Sequence, residues 1–361
     1  MNRSVFLAIV IAVSLLVIGC SSDKKEEKAT TENSIIVENN ISVSHAEETN
    51  GSSASDNIVN DEQNKAVADE SESIDVDNEA SVFESPYHFY DVFRNEYEME
   101  IDTRVPVNTL KAENYKYIGK DELGNTLSEI EITPDTDIFV NGTEAVGYTG
   151  IIKYEDDTYI SKWGIDVSKF QGNINWDKVK ASGVQFVFVR VGFRGYGQSG
   201  SLSEDVKYRQ NIEGALNAGL DVGVYFYAQA INEQEAIEEA EFVSNLISEY
   251  KINLPVVYDP EHVLNDDART DNISGEQFTA NTIAFCNRIK ELGYEPMVYA
   301  NMLWESMEFD LSRLSDVKIW YADYELKPQS PYRFEVWQYS QGGKIPGIDG
   351  TVDLNMMIVH K

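Results

Sequence analysis

Cysteine is nearly absent from this chain. Only Cys20 and Cys286 occur in 361 residues, and Cys20 closes an N-terminal leader, so the body of the protein can form no internal disulfide. Histidine is almost as rare: His45, His88, His262 and His360. A Ser-His-Asp triad built on His262 would lack its G-x-S-x-G nucleophile turn, and a zinc site would want more His or Cys ligands than one. No metal or other cofactor is expected, and His262 reads as a polar rim residue. Basic residues are outnumbered, with 29 Lys and Arg against 62 Asp and Glu for a net charge of -33. Nucleic acid is therefore excluded as a partner, because phosphate binding needs clustered Lys and Arg. No apolar run in the leader reaches the ~20 residues of a spanning helix. Aromatic residues are missing altogether from Ser21 to Ala80.

What is present divides the chain into four stretches. Residues 1–19 combine Arg3 with an apolar run from Val5 to Gly19, the pattern of a signal peptide. The tetrapeptide "VIGC" resembles the lipobox of bacterial lipoproteins, which implies lipidation at Cys20 and a membrane anchor on an exported protein. Residues 20–82 are rich in Ser, Asn, Asp and Glu; Asp23 to Ala80 alone holds 16 acids against 4 lysines. A segment so poor in apolar surface is expected to form a disordered acidic tether. Residues 83–160 carry short β-prone runs, "YKYI", "SEIEI", "DIFV", "GIIKY" and "DTYI", separated by turn signals, and read as a small β-rich domain. Nothing in it marks a site.

From residue 161 to 361 strands alternate with helices. Candidate strands are "WGIDVS", "QFVFVRVGF", "DVGVYFYAQA", "LPVVYDPE", "YEPMVYAN", "KIWYADY", "FEVWQYS" and "TVDLNMMI". Helices are expected at Trp176 to Ala181, Glu204 to Ala218, Glu233 to Tyr250 and Gly275 to Leu292. Asn232 with Glu235, and Ser274 with Gln277, supply start signals. The rhythm predicts an α/β fold, an irregular (β/α) TIM-like barrel. Cys286 lies beside the helical stripe of Phe278, Phe285, Ile289 and Leu292 and reads as core packing.

The run "LPVVYDPE" ends an apolar strand in two acids. Residues at i and i+2 of a strand share a face, so Asp259 and Glu261 point the same way, with Cα atoms about 6.5–7 Å apart. Pro260 keeps the preceding residue extended. Two close carboxyls cannot both ionise cheaply, so one should keep its proton toward neutral pH while the other stays charged. A proton donor beside an anion suits cleavage of a glycosidic bond. Asp166 in "GIDVSKFQG" and Asp353 in "GTVDLN" also stand at strand ends; first and last strands are neighbours in a closed barrel, so both can face the same mouth. Tyr225, Tyr227, Tyr299, Trp320, Tyr324 and Trp337 cluster on other strand ends. They divide between buried packing and flat walls for sugar rings, with Gln338 adding hydrogen bonds.

"GIDVSKFQGNINWDKV", "GVYFYAQ", "LPVVYDPE", "VYAN", "IWYADY", "VWQYS" and "VDLN" occur in the order found in glycoside hydrolase family 25, the muramidases, and the chain resembles that family from Trp163 to about Ile358. The resemblance implies hydrolysis of the β-1,4 bond between N-acetylmuramic acid and N-acetylglucosamine in peptidoglycan, by a lysozyme facing the cell wall. It makes Glu261 the general acid and Asp259 the residue that stabilises or orients the reacting sugar, with Asp166 and Asp353 at the catalytic mouth. Phe226 departs from the pattern, since many relatives carry histidine there. The competing readings are a non-catalytic wall-binding lipoprotein with a glycosidase-like barrel and a glycosidase of another linkage preference.

Overall fold

The computed structural model describes residues 100–121, 124–130, 147–263 and 267–361. The leader, Cys20, the acidic tether and the expected strand "DIFV" lie outside these residues. Chain order begins with a small antiparallel sheet of β1 (Tyr115–Lys120), β2 (Thr126–Ile130) and β3 (Ile151–Tyr154), in which β1 is central. Next come β4 (Tyr159–Val167), α1 (Trp176–Ala181), β5 (Phe186–Arg194), β6 (Leu202–Glu204), α2 (Tyr208–Asn217), β7 (Asp221–Ala228) and α3 (Glu233–Ile247). The remainder is β8 (Val256–Pro260), α4 (Gly275–Glu291), β9 (Pro296–Asn301), β10 (Lys318–Ala322), β11 (Val336–Gly343) and β12 (Val352–His360). The expected boundary between residues 160 and 161 falls inside β4, which is one continuous strand.

Among the described residues, eight strands close a barrel in the order β4, β12, β11, β10, β9, β8, β7, β5, with β5 returning to β4. Seven of them run parallel; β12 is antiparallel to both its neighbours. The reason is local. A parallel partner needs a long crossover, whereas only the short connection 344–351 separates β11 from β12. Among the described residues, helices cover only the side from β5 through β7 and β8 to β9. Beyond β9 the connections are single helical turns at Trp304–Glu308 and Leu311–Leu314, and loops, in keeping with a sequence that offers no long helix after Leu292. The small sheet takes that place: outward residues Tyr321, Trp337, Tyr339 and Leu354 share one core with Tyr115, Tyr117, Ile152 and Tyr154. Polar contacts fix this packing. Tyr117 Oη donates to the Leu326 carbonyl at 2.5 Å, and Tyr339 Oη to that of Gly150 at 2.9 Å.

Helix starts follow the sequence signals. Asn232 accepts from the Glu235 amide at 3.0 Å and Ser274 from that of Gln277 at 3.2 Å, each satisfying a donor that the first turn leaves free. Cys286 is buried in α4 beside Phe285 and Ile289. The helix expected from Glu204 begins only at Tyr208, because Leu202–Glu204 pairs with β5 and the Asp205 carboxylate accepts from the Lys207 amide.

Alternation along the strands separates two cores. One face of each strand contributes to the outer layer; the other fills the barrel with Phe186, Phe188, Tyr225, Val257, Met297, Tyr299, Trp320 and Val336. Glycine makes room for the two phenylalanines. A Cβ on Gly164 would sit 2.5 Å from the Phe186 ring, and one on Gly223 2.3 Å from that of Phe188. The interior is therefore a packed plug, as in other small barrels, and the site must lie above it.

Candidate active site

At the C-terminal ends of the parallel strands this plug gives way to acids. Asp166 is the penultimate residue of β4 and stands directly across from Asp353 on β12. Asp259 lies near the end of β8, paired with Tyr227 of β7, and Glu261 follows Pro260 just beyond the strand. Val257 lies on the interior face, while Val256 and Tyr258 join the outer core, as strand alternation from the D-P-E run requires. The four carboxyls are neighbours: Asp353 hydrogen-bonds Asp166, the charges of Asp353 and Asp166 act on Glu261, and those of Glu261 and Asp166 act on Asp259.

Burial dominates their protonation. It lifts Asp166 to about 6, against the lowering effect of hydrogen bonds from Asn355, Gln338 and Asp353. It raises Asp259 well above the carboxylate range, reinforced by the charges of Glu261 and Asp166. Glu261 is pushed up to about 8 by burial first and then by the Asp353 charge, with Arg190 opposing. Four carboxyls facing one buried guanidinium cannot all ionise, so the cluster retains protons at neutral pH. Asp259 Oδ1 finds no hydrogen-bond partner among the described residues.

Asp166 is held by a polar relay. Gln338 Nε2 and Asn355 Nδ2 donate to Asp166 Oδ2 at 2.9 and 2.8 Å. Tyr299 and Tyr324 both donate to Gln338 Oε1, at 2.9 and 3.1 Å, and Trp320 Nε1 donates to Asn355 Oδ1 at 2.8 Å. Gln338, Tyr299 and Tyr324 thus form the scaffold of Asp166. Tyr227 sits beside Asp259 on the adjacent strand. Tyr225 and Trp320 lie lower: Trp320 stacks on Phe188 at 4.8 Å with Tyr225 and Tyr299 edge-on to it, and is 2% exposed. They make the floor of the site and offer no open ring face.

Trp337 requires a correction. It is completely buried on the outer side of the barrel wall, with Tyr115 edge-on at 6.0 Å and its Nε1 donating to the Asp323 carbonyl. Its neighbour Gln338 faces the acids, so the alternation of β11 turns Trp337 away from them, and it cannot serve as a sugar wall. His262 is a rim residue, stacked on Trp304 at 5.0 Å with a ring nitrogen 3.0 Å from Glu308.

Three residues escaped the sequence reading. Asn355 is two positions from Asp353 on the same strand face, a signal that "VDLN" contains. Arg190 is the lone charge in the apolar run "FVFVRVGF", on the face of Phe186 and Phe188, and pairs with fully buried Asp205 at 2.9 Å. Gln229 closes the run "GVYFYAQ", where nothing sets it apart from its neighbours. Its Nε2 donates to the Glu261 carbonyl at 2.7 Å, its Oε1 accepts from Thr270 at 2.9 Å, and its backbone amide donates to buried Glu239.

A further buried acid lies beyond β9. Glu305 Oε2 accepts from Ser330 at 2.7 Å while Oε1 has no partner among the described residues, and burial, aided by the Asp323 charge, pushes it up to about 8. The native state therefore holds a proton that the unfolded chain releases near pH 4.5, and stability falls as pH rises from there through about 8. This group alone is expected to cost on the order of 3 kcal/mol between pH 5 and pH 8. The difference between urea midpoints at the two pH values should shrink in Glu305→Gln, with the remainder left by the other buried carboxyls; an undiminished difference would remove Glu305 as a source.

The model of Glycosyl hydrolases family 25 matches residues 165–348, just over half of the chain, and the chain belongs to that family. It is 29% identical over 195 residues to "Autolytic lysozyme" of Clostridium acetobutylicum, covering 53% of this chain and 54% of that protein. It is 29% identical over 201 residues to "Lysozyme M1" of Streptomyces globisporus, covering 53% and 66%. The chain thus spans between half and two thirds of the length of these curated relatives. Among solved structures, the bacterial lysozyme from Streptomyces coelicolor superposes with a TM-score of 0.44 at 24% identity, over 54% of this chain and 90% of that one. The spore cortex lytic enzyme SleM of Clostridium perfringens does so with a TM-score of 0.48 at 22% identity, over 55% and 67%.

Proposed function

We propose that this protein is a muramidase, hydrolysing the β-1,4 bond between N-acetylmuramic acid and N-acetylglucosamine in peptidoglycan. The observation that carries the reading is the meeting of four carboxyls, from β4, β8 and β12 and the residue after β8, above a closed aromatic floor. In this reading Glu261, protonated up to about pH 8, gives its proton to the leaving glycosidic oxygen. Asp259, in its ionised form, stabilises positive charge at the anomeric carbon. Asp166, fixed by Gln338 and Asn355, and Asp353 opposite it orient the reacting sugar. Arg190 moderates the cluster by favouring the ionised forms of Asp259 and Glu261.

Membership of the family and the wall-lytic names of the relatives support action on the cell wall. A lipid at Cys20 and the tether to residue 82 would hold the enzyme at the membrane facing that wall. The barrel is then a TIM-like (β/α) variant in which the small sheet of β1, β2 and β3 covers the β10 to β12 wall. The test is incubation of the full chain with insoluble peptidoglycan. New muramic acid reducing ends are expected, and fragments ending in any other sugar, or none, would reject the assignment.

Gln229 gives a second expectation. Because its amide holds the Glu261 carbonyl and the Thr270 hydroxyl together, Gln229→Leu should lower kcat by about 10- to 100-fold, the scale of an ångström-sized misplacement. KM should change much less. A variant that shifted only KM would place Gln229 in binding instead.

A further inference from the structure

Beside the acids, on the β4 and β5 rim, apolar surface and positive charge meet in a way the proposed chemistry does not use. Phe170, in the single turn Lys169–Gln171 after β4, is 47% exposed, and Val206, on the turn after β6, is 82% exposed. Buried Asp205 ties the two turns together: its carboxylate accepts from the Lys169 amide at 3.0 Å, the Lys207 amide at 2.9 Å and Arg190 Nε at 2.9 Å. Two cations pack against the same pair of rings. Arg190 Cζ lies 5.0 Å from the Phe170 centroid and 5.9 Å from that of Phe193, and Lys169 Nζ lies 5.2 and 5.8 Å from them. Arg190 is the same guanidinium whose charge acts on Asp259 and Glu261, which places the cluster within electrostatic reach of the acids.

A flat exposed ring beside a cation suits a pyranose ring bearing a carboxylate. The rest of the molecule disfavours such a ligand: net charge is -33, and the mouth is lined with carboxyls. An anionic glycan meets repulsion there unless a local cation offsets it. Arg190 is buried, and partly exposed Lys169 is the cation nearer solvent.

We propose that Phe170, Phe193 and Lys169 form a subsite for a muramic acid residue, with Phe170 stacking on the sugar ring and Lys169 pairing with the carboxylate of its 3-O-lactyl arm. The assignment rests on the muramidase reading and deepens it by naming which sugar this rim selects.

The experiment uses the full chain and two probes: peptide-free glycan strands with free lactyl carboxylates, and the same strands with those carboxylates reduced to alcohols. Binding is measured by calorimetry in the Glu261→Gln background, and turnover in the otherwise wild-type chain. Phe170→Ala should weaken binding and raise KM about tenfold on both probes, with a much smaller change in kcat, and Phe170→Trp should restore both. Lys169→Gln should bring the affinities for the two probes within about twofold of each other, where the parent prefers the carboxylated strands. Parental binding by Phe170→Ala, or an unchanged preference in Lys169→Gln, would overturn the subsite while cleavage by the wild type left the muramidase reading standing. Strands that bind as expected but are never cleaved would sink the hydrolase reading and keep the subsite; strands that do neither would sink both.

Discussion

Replacing Glu261 by Gln is expected to lower kcat on peptidoglycan by roughly 10³-fold, within the range ascribed to positioned general acids. The amide matches the carboxyl in shape and keeps the backbone carbonyl that Gln229 holds, so the loss should fall on kcat with little change in KM. The pH dependence sharpens the test. In the wild type, kcat/KM should decline above about pH 8 as Glu261 gives up the proton that burial and Asp353 retain on it. The residual activity of the amide variant should lack that alkaline limb. Reducing-end release measured from pH 5 to pH 10 reads both effects. A loss under tenfold, or an unaltered alkaline limb in the variant, would move the acid to another residue, with Asp259 first in line because it too is held protonated by burial and by its neighbours' charges.

Trp337→Ala should be the most destabilising single change considered, at about 3–5 kcal/mol, the usual range for removing a buried Trp. The side chain is wholly enclosed between the barrel wall and the small sheet, touching Tyr115 and Tyr339 and donating to the Asp323 carbonyl. Truncation leaves a cavity and an unsatisfied acceptor at once. Urea unfolding measures the loss, and Trp337→Phe, which keeps most of the volume, should recover a large part of it. Activity per folded molecule should show a near-normal KM. A stable Trp337→Ala protein with a strongly raised KM would instead mark Trp337 as a sugar wall and contradict its placement. If the small sheet is an essential cover for the β10 to β12 wall, damage at Tyr115 should resemble damage at Trp337, since the two rings share one contact.

Much of this molecule follows from short-range rules. The i, i+2 spacing of Asp259 and Glu261 sets them on one strand face before any neighbour is known, and Pro260 keeps that stretch extended. Asn232 and Ser274 start their helices because one side-chain oxygen can meet an amide three residues on, a contact that needs no tertiary partner. The eight barrel strands appear where Val-rich runs end in turn residues, each within a few residues of expectation.

What the tertiary structure alone decided lies across the chain. Trp320 and Trp337 both stand in aromatic strand ends, yet one is the floor of the site and the other belongs to the outer core. Only the register of β10 and β11 in the closed barrel assigns their faces. Arg190, Gln229 and Asn355 acquire their roles from partners on other strands or loops: Asp205, the Glu261 carbonyl and Asp166. Composition likewise does not say that a small sheet would cover the wall that the expected helices leave open. Local sequence sets dihedral preferences and face alternation over a few residues, whereas burial, hydrogen-bond partnership and shifted protonation arise from groups brought together when the barrel closes.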